Sequence, residues 1–352
     1  MGRAAVTRVY KIDPLQDRRW AQFLERHHLA TLFHSPEWLD ALQRTYGYRA
    51  SALTTSGPGE RLTNALVICR VQSWLTGCRL VSVPFSDHCT PLIDSEEEFG
   101  RLLSGLKQER DHGKEQYLEI RSVAEGAGLV AGLAGSTTFC LHRLDLRPSL
   151  GDLFHAFHAS CIRRKIARAH REGVTYEEGT SEALLQRFYQ LAVLTRRRQQ
   201  IPPQPLSWFR NLIACMGERV KIRLASQGGR PAAGILTIRF KGTMTYKYGC
   251  SDPMFHRMGS MQLLMWNAIQ DAKNNGLMEF DMGRTDWNNE GLLTYKDRWG
   301  GARSTLVYFR YPAIKPQDHM ESIPMRIAKR IVTLAPDGLL TTAGSILYRH
   351  IA

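Results

Sequence analysis

Three apolar stretches, Val220–Ser226, Ala232–Phe240 and Met244–Tyr248, are separated by two tight turn signals, Gly228-Gly229-Arg230-Pro231 and Lys241-Gly242. Strands joined by turns this short form a meander, and no other part of the chain limits its fold as strongly. Helical patterns precede the meander at Leu153–Glu172, Ser181–Arg198 and Pro205–Met216. Behind it come a helix from about Gly259 to Asn274, a short strand at Glu279–Met282 and a last strand at Ser304–Tyr311. An order of helices, antiparallel strands, helix and strand predicts an α/β (α+β) unit with a mixed, largely antiparallel sheet.

The first half follows the same rhythm. Val6–Ile12 reads as a strand, and Asp13-Pro14 opens a helix to about His28. Ser35-Pro36-Glu37 supplies an N-cap, a proline at the first helical position and an acid in the first turn. Strands are expected at Arg49–Thr54, Leu62–Val71, Arg79–Val83, Tyr117–Arg121 and Thr138–Asp145, with a helix capped by Ser95 among them. The domain reading is 1–147, 148–312 with the active site, and a tail at 313–352 whose two helices are split by Pro336-Asp337-Gly338.

Lys and Arg number 47 against 33 Asp and Glu, a formal charge of +14, so the ligand or partner is expected to be anionic. Seven cysteines without any C-x-x-C indicate neither a zinc site nor a disulfide framework. They fit a reducing compartment, and with no apolar leader in MGRAAVTRVYKIDP a cytoplasmic location is expected.

Chemistry-bearing residues crowd between Tyr246 and Trp299. Tyr246, Tyr248 and Cys250 alternate with Lys247 and Gly249 at strand period, predicting one aromatic face, with Gly249 permitting close approach. Gly259-Ser260 opens a helix whose first N–H groups form an anion site, with Arg257 adding charge. The run Phe280-Asp281-Met282-Gly283-Arg284 puts Arg284 at a strand's C-terminal edge, where its fork of donors suits phosphate or carboxylate. Arg164 and Arg168, with Arg171, share one helical face as a phosphate-contacting surface. Arg196-Arg197-Arg198 ends a helix, where the dipole alone favours cations. In Asp87-His88-Cys89 the neighbours point apart, so no Cys–His dyad is expected there; Asp87 and His88 are read as contacts to an acceptor.

The segments Tyr246–Asp252, Phe280–Arg284, Asn289-Glu290-Gly291-Leu292 and Tyr295-Lys296 to Trp299-Gly300 resemble the FemAB-like group of GNAT-superfamily proteins. Phe33-His34-Ser35-Pro36-Glu37-Trp38 and Ser82–His88 are similar to that group's N-terminal markers, so the resemblance spans about residues 30–311. It implies tandem GNAT-like domains and transfer of an aminoacyl or acyl group to an amine of a cell-wall or envelope precursor. It also places Lys296 at the reacting acyl group. The donor is expected to be aminoacyl-tRNA or acyl-CoA, used as substrate, with no permanently bound cofactor and no metal. Arg257 and Gly259-Ser260 resemble what remains of the acetyltransferase loop that holds the coenzyme A pyrophosphate.

The expected mechanism is direct attack by a neutral amine, with Lys296 facing the oxyanion and Asp281 or Asp252 taking the proton or orienting the amine. Tyr248, Arg257, Gly259, Ser260, Arg284, Asp87, His88, Arg164 and Arg168 form the expected binding set. The acceptor is expected to be amine-bearing and diphosphate- or lipid-linked, with peripheral membrane contact through the basic tail Met325–Val332. Two other readings stand beside this one: an acyl-CoA-dependent enzyme of exopolysaccharide or lipid modification, and a non-catalytic polyanion-binding module.

Overall fold

The structure is a computed structural model that describes residues 8–74, 76–123, 133–312 and 335–350. It divides into two compact units: 1–139 with 305–317 and 349–352, and 140–304 with 318–348. The linear partition expected from the sequence is therefore corrected. The cut falls at Phe139/Cys140, and the last strand of the expected second domain belongs mostly to the first unit. The reason is strand pairing: residues far along the chain complete each unit's sheet.

In the first unit, strands β1 (Tyr10–Ile12), β2 (Ala50–Thr54), β3 (Leu66–Ser73) and β4 (Gly77–Val81) run antiparallel in sequence order. Helix α1 (Arg19–Arg26) follows β1, and α2 (Pro36–Tyr46) begins at Ser35, whose side chain accepts from Trp38 N–H as the sequence predicts. Helix α3 (Glu96–Asp111) carries the chain from β4 to β5 (Tyr117–Val123), which is parallel to β4. Leu102, Leu103 and Leu106 of α3 pack on Leu53, Leu66, Leu80 and Leu118 of the sheet. The unit closes where Leu306–Tyr311 pairs antiparallel with β5.

The second unit repeats this plan. Strand β6 (Ala134–Asp145) enters it at Cys140, and helix α4 (Leu150–Ala156) follows. The single helix expected over Leu153–Glu172 is broken: a turn of π-helix at Ala159–Arg163 precedes α5 (Arg164–Arg171). The break has a physical cause. Phe157 packs edge-on against Trp299, ring centroids 4.9 Å apart, and His158 N–H donates to Arg298 C=O instead of continuing the helix.

Strand β7 (Thr175–Gly179), not anticipated in the sequence, forms the outer edge. Next come α6 (Glu182–Arg198), α7 (Leu206–Met216) and the expected meander, β8 (Val220–Gln227), β9 (Arg230–Phe240) and β10 (Thr243–Ser251). Helix α8 (Ser260–Asn274) leads to β11 (Glu279–Thr285), which runs parallel to β10 and antiparallel to β6. A short helix α9 (Glu290–Asp297) and strand β12 (Ala302–Tyr311) complete the described core.

This sheet is covered on both sides. Leu263, Met265, Ile269 and Ile166 of α8 and α5 pack with Ala233, Ile235 and Met244 on one face. On the other, a Cβ at Gly234 would lie 2.9 Å from Phe188 of α6, so the sheet and α6 touch there. Burying several such side chains, each contributing about 1.5–3 kcal/mol, fixes both helical layers on the sheet. Arg223 of β8 is fully buried and offset by carboxylates: it donates to Asp271 of α8 at 2.5 Å and pairs with Glu178 of β7.

Of the two tail helices, one lies at α10 (Asp337–Leu347). Leu340 is buried, Arg197 pairs with Asp337, and Tyr348 OH donates to Pro202 C=O at 3.2 Å, so α10 docks beside the α6–α7 loop. The basic stretch Met325–Val332 falls outside the described residues. No described helix is long and apolar enough to cross a membrane.

Candidate active site

Strands β10 and β11 pair for only three residues, Thr243–Thr245 with Glu279–Asp281. Beyond that point each strand is re-aimed. In β10 a bulge falls between Tyr246 and Tyr248, so Tyr246 pairs with Thr237 and Tyr248 with the adjacent Leu236. Inserting Lys247 reverses which way the following side chains point. The single aromatic face expected from simple alternation is therefore corrected. Tyr246 joins the α8-side core, while Tyr248 turns to the α6–α7 side, where its oxygen accepts from Trp208 Nε1–H at 2.8 Å. Burial and this donor act in opposite directions on the Tyr248 phenol, and burial wins, raising its pKa.

The group close to Gly249 is the Tyr246 side chain rather than a ligand or backbone: a Cβ there would lie 1.8 Å from the phenolic oxygen. Tyr246 in turn packs in one apolar cluster with Met258 and Met261 near the start of α8 and Tyr295 and Trp299 at α9. The β10 strand, the α8 start and α9 therefore meet on packed core.

Strand β11 bends because Gly283 takes φ +71°, and its register against β6 slips between Asp281 and Arg284. Asp281, 4% exposed, accepts from Gly283 N–H at 2.7 Å. Lys296, also 4% exposed, donates from Nζ to the Gly283 carbonyl at 2.7 Å and to the Arg284 carbonyl at 3.3 Å. Both side chains thus hold the bend that carries β11 away from β10. Arg284 itself is exposed.

Next to Lys296, Asp297 accepts from His142 Nε2–H at 3.1 Å and from Arg303. Arg303 holds the Asp297 carboxyl below its usual range, while burial pushes the His142 imidazole down. No motif pointed to His142, which reaches α9 because β6 pairs with β11.

At the start of α8 the expected helix terminus is present. Asp252 caps the preceding 3-10 turn, its Oδ1 accepting from Met254 N–H at 2.9 Å. Gly259 has φ +80° and no side chain caps α8. The first N–H groups of α8 therefore have no side-chain cap at the positive end of its dipole. Ser260 is 3% exposed and its hydroxyl has no hydrogen-bond partner. A Cβ at Gly259 would lie 2.1 Å from the Lys165 carbonyl. This contact brings the α5 cluster beside the α8 start: exposed Arg164 adjoins Lys165, and exposed Arg257 approaches from the other side in sequence. Arg168 lies one turn further along α5 and is paired with Glu172 at 3.2 Å.

Asp87 and His88 lie in the first unit, apart in the chain's division from Lys296 and α8. The Asp87 carbonyl accepts from Tyr308 OH at 2.9 Å; His88 is 2% exposed, its ring edge-on to Phe33. Cys89 Sγ does approach a histidine, but it is His34, at 3.3 Å. His34 Nδ1 accepts from Thr31 N–H and Nε2 faces the Thr90 carbonyl, which assigns the proton to Nε2. That nitrogen cannot take the thiol proton. Burial drives His34 down to about 3 and the Cys89 thiol upward, so the pair is neutral and unreactive.

A second feature missed in the sequence lies in the second unit. A cavity of about 120 Å³ lies between α6, α7 and the outer part of β10, lined by Phe188, Arg196, Gln204, Phe209, Lys247 and Tyr248 among others. No group of histidine, cysteine and acidic residues suited to a metal occurs among the described residues.

Residues 157–297 match the acetyltransferase (GNAT) domain family. No curated protein sequence matches the chain. Its fold is similar to that of the crystal structure of FemX, with TM-score 0.68 and 14% identity over 86% of this chain and 97% of that one. A tandem GNAT protein from the clavulanic acid biosynthesis pathway aligns with TM-score 0.58 and 12% identity, over 88% and 99% of the two chains. The C-terminal domain of a putative lysylphosphatidylglycerol synthetase from Agrobacterium fabrum aligns with TM-score 0.55 and 15% identity, over 83% and 93%. The fold is thus of the tandem GNAT kind, similar to that of FemX, and residues 157–297 match an acetyltransferase domain model.

Proposed function

We propose that the protein transfers an aminoacyl or acyl group from an activated ester or thioester to an amine of a cell-envelope precursor. The observation that carries this reading is the divergence of β10 from β11 after three pairs, beside a helix start that no side chain caps. Beyond Thr245 the edge of β10 is no longer paired with β11, which suits an extended, amide-bearing donor. The α8 N–H groups and Ser260, flanked by Arg257 and Arg164, suit the donor's phosphates. FemX and the lysylphosphatidylglycerol synthetase share the fold, which favours an aminoacyl donor; the tandem GNAT protein, named for its state without AcCoA, favours acyl-CoA.

In the proposed step the amine nitrogen attacks the carbonyl carbon. A C–N bond forms, the C–O or C–S bond breaks, and the hydroxyl or thiol leaves with a proton. The Oδ2 of Asp252 accepts the proton lost by the amine and returns it to the departing oxygen or sulfur. Lys296 and Asp281 are positioning residues in this scheme: through the Gly283 bend they set where the edge of β11 lies. That replaces the oxyanion contact expected of Lys296, because its ammonium is turned to the β11 carbonyls.

The test is intact-mass analysis of an amine panel incubated with the protein and either aminoacyl-tRNA or a series of acyl-CoAs. The reading predicts a fixed mass gain on an amine with one donor class. Salt-sensitive RNA binding with no mass gain from any donor would instead support a polyanion-binding module.

A further inference from the structure

We propose that the cavity between α6, α7 and β10 is a binding site for a carboxylate carried on a short apolar stem. Two cations line it, Arg196 from the last turn of α6 and Lys247 from β10, and no acidic residue does. An amine placed there would meet two like charges, and a purely apolar guest would desolvate both cations without offsetting them. A carboxylate meets both, through the planar fork of Arg196 and the point charge of Lys247.

The position of Lys247 is the second observation. Arg196 has a structural reason to sit at a helix C-terminus, but Lys247 is the inserted residue of the β10 bulge. A bulge costs ladder bonds and re-aims a side chain, and this one delivers Lys247 and Tyr248 together to the cavity. Tyr248 is fixed by Trp208 Nε1–H, and Gln204 adds an amide to the polar side. Thr195 and Gln199 also line it, Gln199 Oε1 accepting from Arg196 at 3.1 Å, and the rest of the wall is apolar, with Phe209 edge-on to Tyr248 at 5.2 Å. About 120 Å³ has room for a carboxylate and a few carbons, the size of an amino-acid or short-acid terminus.

That this carboxylate belongs to the acceptor or to the transferred group rests on the acyltransferase reading above; the site itself does not. The experiment uses the full chain without donor. Saturation-transfer NMR and calorimetry are run with N-acetylglycine, N-acetylalanine and N-acetylglutamate, with their carboxamides, with propylamine and with inorganic phosphate. At least one carboxylate should bind at least tenfold tighter than its carboxamide, and propylamine should not bind.

Arg196→Met and Lys247→Met should each weaken that carboxylate at least tenfold, and Arg196→Lys should retain part of the affinity. Circular-dichroism melts matching the parent establish that the variants fold, and Lys247→Gln replaces any variant that does not. Equal affinity for acid and amide overturns the proposal, as does phosphate binding tighter than every carboxylate or unchanged binding in Arg196→Met. Absence of acyl transfer with carboxylate binding intact would sink the transferase reading alone. Transfer to amines that carry no carboxylate, as fast as to those that do, would sink only the assignment of this site to the substrate.

Discussion

Replacing Gly259 by alanine tests the α8 start at a point where geometry gives a number. At φ +80° an L-residue is strained by about 1–2 kcal/mol. The added Cβ would also lie 2.1 Å from the Lys165 carbonyl oxygen and 2.8 Å from its carbon. Those are backbone atoms of α5 and cannot swing aside, so α5 and α8 must separate, at a cost of about 1–3 kcal/mol by analogy with overpacked cores. Gly276→Ala supplies the control, because Gly276 has φ +72° and nothing within 4 Å of its Cβ position. It should cost the backbone strain alone.

In a unit of this size each kcal/mol lowers the melting midpoint by about 2–4 °C. Gly259→Ala should therefore melt about 2–12 °C below Gly276→Ala in calorimetry, and should bind pyrophosphate more weakly while Gly276→Ala binds it as the parent does. Equal midpoints and equal pyrophosphate affinities for the two variants would refute the account of the α5–α8 contact.

Lys296→Met should leave the Gly283 and Arg284 carbonyls without their ammonium, destabilising the second unit by about 1–3 kcal/mol in urea unfolding. If Lys296 only positions β11, transfer by this variant falls without any change in its pH profile; a shifted profile would restore Lys296 to the chemistry. Arg223→Met removes the buried guanidinium from Glu178 and Asp271, which keep Lys221 as a partner, and should cost about 1–3 kcal/mol, read from the unfolding midpoint. His34, held neutral by burial at about 3 against 6.5 unfolded, binds fewer protons folded than unfolded. Its contribution is present above pH 6.5 and is lost as pH falls toward 3. By pH 4.5 the loss is about 2–3 kcal/mol, seen as a slope in denaturation midpoints that His34→Gln flattens.

What the sequence made legible was local. The Gly228-Gly229 and Lys241-Gly242 turns marked the meander, Ser35-Pro36 marked the start of α2, and Gly259 marked the start of α8. What it hid depends on partners distant in the chain. The Lys247 bulge is a choice of register against β9, so counting residues along β10 alone put Tyr246 and Tyr248 on one face. The break after α4 comes from Phe157 meeting Trp299, and the thiol of Cys89 meets His34 rather than the adjacent His88. Arg196 looked like an ordinary C-terminal cation because only the folded chain sets it beside Lys247. The division into units escaped linear reading because β6 and β12 each begin in one unit and end in the other.

The central claim is that a donor lies along the parted edge of β10 with its phosphates at the α8 start. Amide hydrogen exchange, followed residue by residue with and without the donor that supports transfer, addresses it most directly. Exchange should slow together at 246–251 and 259–262. Donor binding that leaves both segments exchanging as in the free protein would contradict it.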